Sequence, residues 1–345
     1  MPTNLRTTER AVLFEVVRFL LLCGLILSLS ASGYVLYAVQ PVLPDGEQEQ
    51  LVHVEKGLNG RQIAHLLADH GLVRDADLLY WLLRLTGADK RLQAGYYVLK
   101  PSMNAFEIIE QLQQGRTTSV TVTIPEGFEL KQIAARLAQK GLVDYGKFME
   151  LALNAPLVFG GDMPLEIPIT SLEGYLFPDT YTFSYGQSEA EIIRQMVGRF
   201  LEVVIPEVQD RIGRWGLGLH ELVTLASIVE REVAVDWERP LVASVYLNRL
   251  KINMPLQADP TVRYVMEEDR ARVLYRDLEI DSPYNTYRSR GLPPGPIASP
   301  GLASIMAVLD PAETDYLFFV AKGDGTHQFS RTFAEHVKAR QELGY

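Results

Sequence analysis

From Phe19 to Val39 the chain is almost wholly apolar, and no other stretch limits its possible folds so tightly. About 20 such residues, rising 1.5 Å each in an α-helix, cross the ~30 Å hydrocarbon core of a bilayer, so the run predicts one transmembrane helix over 19–39. Arg6, Arg10 and Arg18 precede it and the next basic residue is Lys56. The positive-inside bias then places 1–18 in the cytoplasm and everything after Gln40 outside, at the inner (plasma) membrane. Two other readings stay open, a cleaved signal peptide with small residues at Ser30 and Ser32, and a buried core helix; the continuation through Val35, Leu36 and Val39 exceeds an ordinary signal core. The single cysteine, Cys23, lies inside the run behind Leu22, which suits no lipoprotein cleavage site, and the body therefore holds no disulfide or thiolate metal site. Residues 40–50, with two prolines, Gly46 and several acids, read as a linker that spaces the body from the membrane.

A chain of 345 residues suits such a segment plus two folded units. Its net charge of -10, without a basic stripe, argues against nucleic-acid binding, which needs clustered Lys and Arg to displace counterions. There is no GxxxxGK[ST], no GxGxxG after a strand, no HExxH and no CxxC, and the six histidines do not cluster. Phosphate and metal chemistry are disfavoured, and neither a metal nor a cofactor is expected.

Two stretches match at a constant offset, VHVEKGLNGRQIAHLLADHGLV from Val52 and VTIPEGFELKQIAARLAQKGLV from Val122. Each reads as a short strand, a turn at Gly57 or Gly127, and a helix ending at Gly71 or Gly141. Gly95-Tyr96 ahead of Glu107-Ile108-Ile109 is matched to Gly174-Tyr175 ahead of Glu191-Ile192-Ile193, making a βααβ-like module used twice with a helix trailing it. The layout resembles the LysM-like fold that binds N-acetylated glycans. Duplication alone serves equally well to bury apolar faces.

The segment LVTLASIVEREVAV, Leu222 to Val235, carries the apolar stripe Leu222, Leu225/Ala226, Val229, Val233 of a core-facing helix. Glu230 lies beside that stripe, with Ser227, Ala226, Val233 and Ala234 as its helical neighbours. A carboxyl over so small and apolar a floor is desolvated, which favours the protonated form that a general acid needs, while Arg231 and Glu232 are expected to project into solvent. By itself a mid-helix Glu beside an Arg is as well explained by a surface ion pair. SVYLNRL, LQADPTVRY, SPYNTYRSRGLPPGPIASPG and the earlier EGYLFPDTY add amides, hydroxyls and aromatics that suit pyranose rings and their substituents.

LASIVERE, NRL, LQADPTV, YNTY and GLPPGPI…SPG, in this order, together with EGYLFPDTY and the closing YLFFVAKGDGTHQFSRTFAEH, resemble the YceG-like family, the MltG-type endolytic murein transglycosylases. The resemblance implies an α+β chain: a cytoplasmic tail at 1–18, a transmembrane helix at 19–39, a linker at 40–50, a LysM-like domain at 51–118 and a catalytic domain at 119–345. It implies cleavage of the MurNAc-GlcNAc bond of peptidoglycan strands with 1,6-anhydro ends. It maps the family's catalytic glutamate onto Glu230, the first acid of IVERE. Glu173, Gln257, Asp259, Tyr284, Asn285 and Tyr287 are the expected substrate contacts, and peptidoglycan synthases are possible partners. The competing readings are a lysozyme-like hydrolase whose second carboxylate is Asp259, Asp179 or Glu173, and a non-catalytic glycan-binding scaffold.

Overall fold

The structure is a computed structural model that describes residues 5–115, 119–213, 215–266 and 273–344, with side chains from residue 16 onward. The side chains of Arg6 and Arg10 and the boundary expected at 118 lie outside the described residues. The fold is mixed α and β, divided into two compact units, residues 1–119 with 184–186, and the remainder.

In the first unit, helix α1 (Leu5–Ala38) contains a 23-residue apolar span, Val16–Ala38, with mean hydropathy 2.1; it is the one helix among the described residues long and apolar enough to cross a membrane. There follow β1 (Gln50–Val54), α2 (Gly60–Asp69), α3 (Ala76–Thr86), β2 (Gly95–Leu99) and α4 (Ala105–Gln114), with β1 and β2 paired antiparallel from Gln50 opposite Leu99 to Val54 opposite Gly95. The core beneath the ribbon is Val52, Val54, Ile63, Leu67, Leu83, Tyr97, Leu99 and Ile108. Residues 41–46 are not a loose spacer. The Leu43 N–H donates to the Pro101 carbonyl, the Ala105 N–H to that of Val39, and the Arg74 guanidinium to that of Pro41, so the end of α1 is stitched to the body it precedes.

The second unit opens with β3 (Ser119–Thr123), α5 (Leu130–Gln139), α6 (Tyr145–Ala152) and the short α7 (Ala155–Phe159), then β4 (Thr180–Ser184), α8 (Glu189–Val203) and the short α9 (Ile205–Val208). The duplication extends to the glutamine that closes each helix start. At the starts of α2 and α5 the Gln62 and Gln132 amide oxygens accept the N–H of Asn59 and Glu129, and the Asn59 side chain additionally accepts the N–H groups of Arg61 and Gln62. Leu67 and Leu137 are both fully buried. The second half of the match needs correcting. Tyr97 and Tyr181 each donate a hydroxyl hydrogen bond to the carbonyl four residues back, and Asn104 with Glu107 and Ser188 with Glu191 box the following helix. The counterpart of β2 in the second copy is therefore β4, not Gly174-Tyr175, and the intervening residues belong to an insertion that carries most of EGYLFPDTY.

Helix α10 (Leu219–Glu232) is the centre of this unit, packed by α11 (Arg239–Lys251), α12 (Asp259–Val265) and α13 (Leu302–Leu309). Every residue from Leu222 to Val229 is buried, so apolar contact surrounds the helix instead of marking one stripe, and Val233 already lies beyond its end in extended conformation. A hairpin, β5 (Phe318–Ala321) and β6 (His327–Ser330), and α14 (Phe333–Glu342), capped by Thr332, complete the chain. Leu137→Ala is expected to destabilise the second unit by about 2–5 kcal/mol, the cost of a buried leucine cavity, and to lower its melting temperature in calorimetry with no change at the first unit's transition.

Candidate active site

A polar line down one side of α10 reads the proline-rich loop that precedes α13. His220 Nε2 lies 2.8 Å from the Pro294 carbonyl and its Nδ1 2.8 Å from the Tyr175 hydroxyl. The Ser227 hydroxyl accepts the Ile297 N–H at 3.0 Å, and Glu230 Oε2 accepts the Gly301 N–H at 3.0 Å. Glu230 Oε1 also receives Arg239 Nη2 at 3.1 Å, the two side chains being 7% and 10% exposed. Glu230 therefore does not stand over an apolar floor. Its carboxylate is spent holding the last turn of α10 to the start of α11 and the cap of α13.

Close behind is Glu126, whose carboxylate lies 3.8 Å from the same Arg239 nitrogen. Burial, and then the charge of Glu230, push its carboxyl above the ordinary carboxylate range. A Cβ at residue 301 would fall 2.0 Å from Glu126 Oε1, so a side chain there would displace the Glu126 carboxylate from its present position. Glu126 was invisible as a partner in the sequence, standing more than 100 residues away in the IPEGF turn.

Two residues along an α-helix turn through roughly 200°, so Glu232 points away from this line. It does not project into solvent as the sequence suggested. Its Oε2 is buried, as is the Tyr246 hydroxyl beside it, and neither completes a well-formed hydrogen bond. Arg249 is near but its guanidinium is directed at the carbonyls of Leu317 and Leu256. Burial, reinforced by the negative charge of Asp259, pushes the Glu232 carboxyl up to about 7. The acid of this helix that is buried without an ion pair is thus Glu232.

Of the other expected contacts, Asp259 and Tyr287 belong together: the Tyr287 hydroxyl donates to Asp259 Oδ1 at 2.5 Å, and both interact electrostatically with Glu232. They line a cleft of about 480 Å³ with Leu274, Tyr275, His336 and Arg340. The last four were not singled out in the sequence, although FAEH, ending at His336, was among the recognised segments. Gln257 is exposed two residues before Asp259, in a left-handed conformation at φ 49°, its N–H donating to the Thr286 carbonyl.

Asn285 is a correction. Fully buried, it donates to the Leu278 and Ile280 carbonyls and accepts the Tyr287 N–H, which uses its amide to shape the loop and leaves nothing for a ligand. Glu173 and Tyr284 gather elsewhere, around Tyr264: Glu173 accepts the Leu130 N–H and the Tyr264 hydroxyl, and the Tyr264 and Tyr284 rings pack 5.1 Å apart. Burial pushes the Glu173 carboxyl up to about 8. Asp179 pairs with Arg199 at 2.7 Å. Of the three acids considered as a second carboxylate, Asp259 is the one placed beside Glu232.

The YceG-like family profile matches residues 52–342. The chain belongs to the YceG-like family. A relative from Bacillus subtilis (strain 168), named endolytic murein transglycosylase, is 36% identical over 317 residues, covering 88% of this chain and 87% of that one. A protein of the same name from Streptococcus pneumoniae serotype 2 (strain D39 / NCTC 7466) is 31% identical, covering 94% and 65%. A 2.6 Å crystal structure of a yceG-like protein from Listeria monocytogenes superposes with TM-score 0.58 at 34% identity, covering 85% of this chain and 99% of that one.

In this YceG-like chain the two most strongly raised carboxyls, Glu232 and Glu173, contribute to stability with a definite pH dependence. The native state keeps protons on Glu232 and Glu173 that the unfolded chain releases near pH 4.5, so the contribution of these two groups to stability is full below about 4.5 and is lost as pH rises through about 7 and 8. Glu232→Gln and Glu173→Gln are each expected to flatten the decline in melting temperature between pH 5 and 8, measured by thermal unfolding against the wild type.

Proposed function

We propose that this protein is an endolytic peptidoglycan lytic transglycosylase, held at the membrane by α1 with its two units on the extracytoplasmic side, and that Glu232 is its general acid and base. The observation that carries the reading is a carboxyl raised to about 7 by burial and by the charge of Asp259, a residue that with Tyr287 lines a cleft. At neutral pH such a group is divided between its acid and base forms, the condition in which one residue does both jobs. Glu232 protonates the oxygen between N-acetylmuramic acid and N-acetylglucosamine, and its carboxylate then takes the proton of the muramyl C6 hydroxyl as that oxygen attacks C1. The 1,6-anhydro end forms without water, and the internal nucleophile gains the high effective molarity of an intramolecular reaction. The negative charge of Asp259, oriented by Tyr287, stabilises positive charge developing at C1. The curated relatives at 31–36% identity carry the same activity in their names.

The first unit's β-α-α-β order suits a LysM-like role in seating a glycan strand, and a tether at the membrane suits action on newly made strands beside peptidoglycan synthases. A second reading, hydrolysis, rests on the proximity of Asp259 to Glu232, since a second carboxylate could activate water.

Glu232→Gln is expected to lower the rate of strand cleavage by about 10²–10⁴-fold with the fold retained. Glu230→Gln instead breaks a buried ion pair and is expected to lose stability first, with a smaller loss of rate at a temperature where the variant is folded. Mass spectrometry of the products decides the chemistry: ends one water lighter than hydrolysed glycan support transglycosylation, hydrolysed ends point to Asp259 as base, and full activity of Glu232→Gln overturns the assignment.

A further inference from the structure

Helix α3 is apolar on two sides. Leu79 and Leu83 enter the core of the first unit, while Leu78, Trp81, Leu82 and Leu85 form a second stripe at i, i+3, i+4 and i+7 on the outside, with Trp81 57% and Leu85 80% exposed. Surface helices ordinarily carry polar residues there. Beyond α1, the exposed large hydrophobic residues among the described residues of this unit are Leu43, Leu51, Trp81, Leu85 and Phe106. Four of these five sit on segments bonded directly to the C-terminal end of α1.

The bonds are specific. Tyr34, one turn before the end of α1, donates its hydroxyl to Asp75, the N-cap of α3, at 2.6 Å. Arg74 lies over the Tyr37 ring, 4.4 Å from its centroid, and donates to the Pro41 carbonyl. The Ala105 N–H, next to Phe106 at the start of α4, donates to the Val39 carbonyl, and the Leu43 N–H is held by Pro101. Tyr34 and Tyr37 occupy the place in the span where tyrosines sit at a membrane–water interface. The start of α3 is therefore fixed at the depth of the interface, about 6 Å short of the last residue of α1 at 1.5 Å per residue. Several acidic groups on the same segments are engaged, Asp75 with Tyr34, Asp77 with Arg61 and Glu47 with Lys100, while Asp45 is exposed, so apolar area more than net charge is what these segments offer.

Resting on the reading of α1 as a membrane span, we propose that the first unit lies on the bilayer surface, with the outer stripe of α3, Leu43 and Phe106 seated in the boundary between headgroups and acyl chains of the leaflet that α1 leaves. The partner is the lipid itself. A helix that lies in the interface with Trp and Leu on its buried face gains in proportion to the apolar area it removes from water. The tether then fixes both the height and the tilt of this unit instead of leaving it on a flexible leash.

The test uses the full chain in phosphatidylcholine nanodiscs, with Trp215→Phe and Trp237→Phe leaving Trp81 as the one indole. Lipids brominated near the top of the acyl chain are expected to quench at least half of the Trp81 emission, with aqueous iodide having little effect and 0.5 M salt changing neither. Quenching by iodide and not by bromolipid overturns the proposal, as does shielding from both, which would mean that protein covers the stripe. If the double variant folds poorly, a spin label at Leu85→Cys in a Cys23→Ser background replaces it; greater access to oxygen than to a nickel chelate supports the proposal, and the reverse overturns it. Cys23, within the apolar span of α1, keeps the two readings apart. If Cys23 in nanodiscs reacts with a membrane-impermeant maleimide, the span itself fails; if it is protected while Trp81 meets iodide, only the seating of α3 fails.

Discussion

The ion pair between Glu230 and Arg239 is the constraint from which the rest of the second unit follows. It is almost fully withdrawn from water, and it is stable because both partners have further work: Glu230 also takes the Gly301 N–H, and Arg239 also donates to the Ser304 hydroxyl and reaches Asp236. Removing either partner leaves a buried charge uncompensated, which costs about 3–5 kcal/mol in comparable sites. Because the pair joins the end of α10 to the starts of α11 and α13, it also settles the direction of the final turn of α10. That turn carries Glu232.

Glu232 and Glu230 show how one helix serves two electrostatic purposes. On one face the carboxylate is matched by a guanidinium and a backbone N–H; on the other the nearest guanidinium, that of Arg249, is committed to carbonyl groups, and the nearest carboxylate repels. A buried acid that stands outside any ion pair and beside another carboxylate holds its proton toward neutral pH. Local residue type cannot separate these outcomes, since both are glutamates flanking Arg231 on the same turn.

Much of the architecture was legible in the chain. The repeat predicted the strands and helices of both copies because glycine turns, capping pairs and buried leucines recur at a single spacing, and each has a local physical cause. The register failed after the insertion, where Gly174-Tyr175 imitates Gly95-Tyr96 in letters while Tyr181 takes the place of Tyr97 in hydrogen bonding. Composition could not tell which amide faces a ligand, and Asn285 proved to be consumed by its own loop. Glu126 and Arg239 come together only because the IPEGF turn docks on residues 299–301, with the Gly127 N–H on the Ser299 carbonyl and the Ser299 N–H on that of Phe128.

By itself the sequence determined an apolar helix long enough for a bilayer, a duplicated strand-and-helix module, membership of a family and a short helix bearing the acids that matter. Those depend on periodicity, capping and composition, which act over a few residues. The tertiary structure decided which acid is buried without an ion pair, which loop residues meet in the cleft, and that the residues after α1 bind back to its end. These depend on contacts between segments tens to hundreds of residues apart, and no local pattern encodes which side of α10 its neighbours will cover.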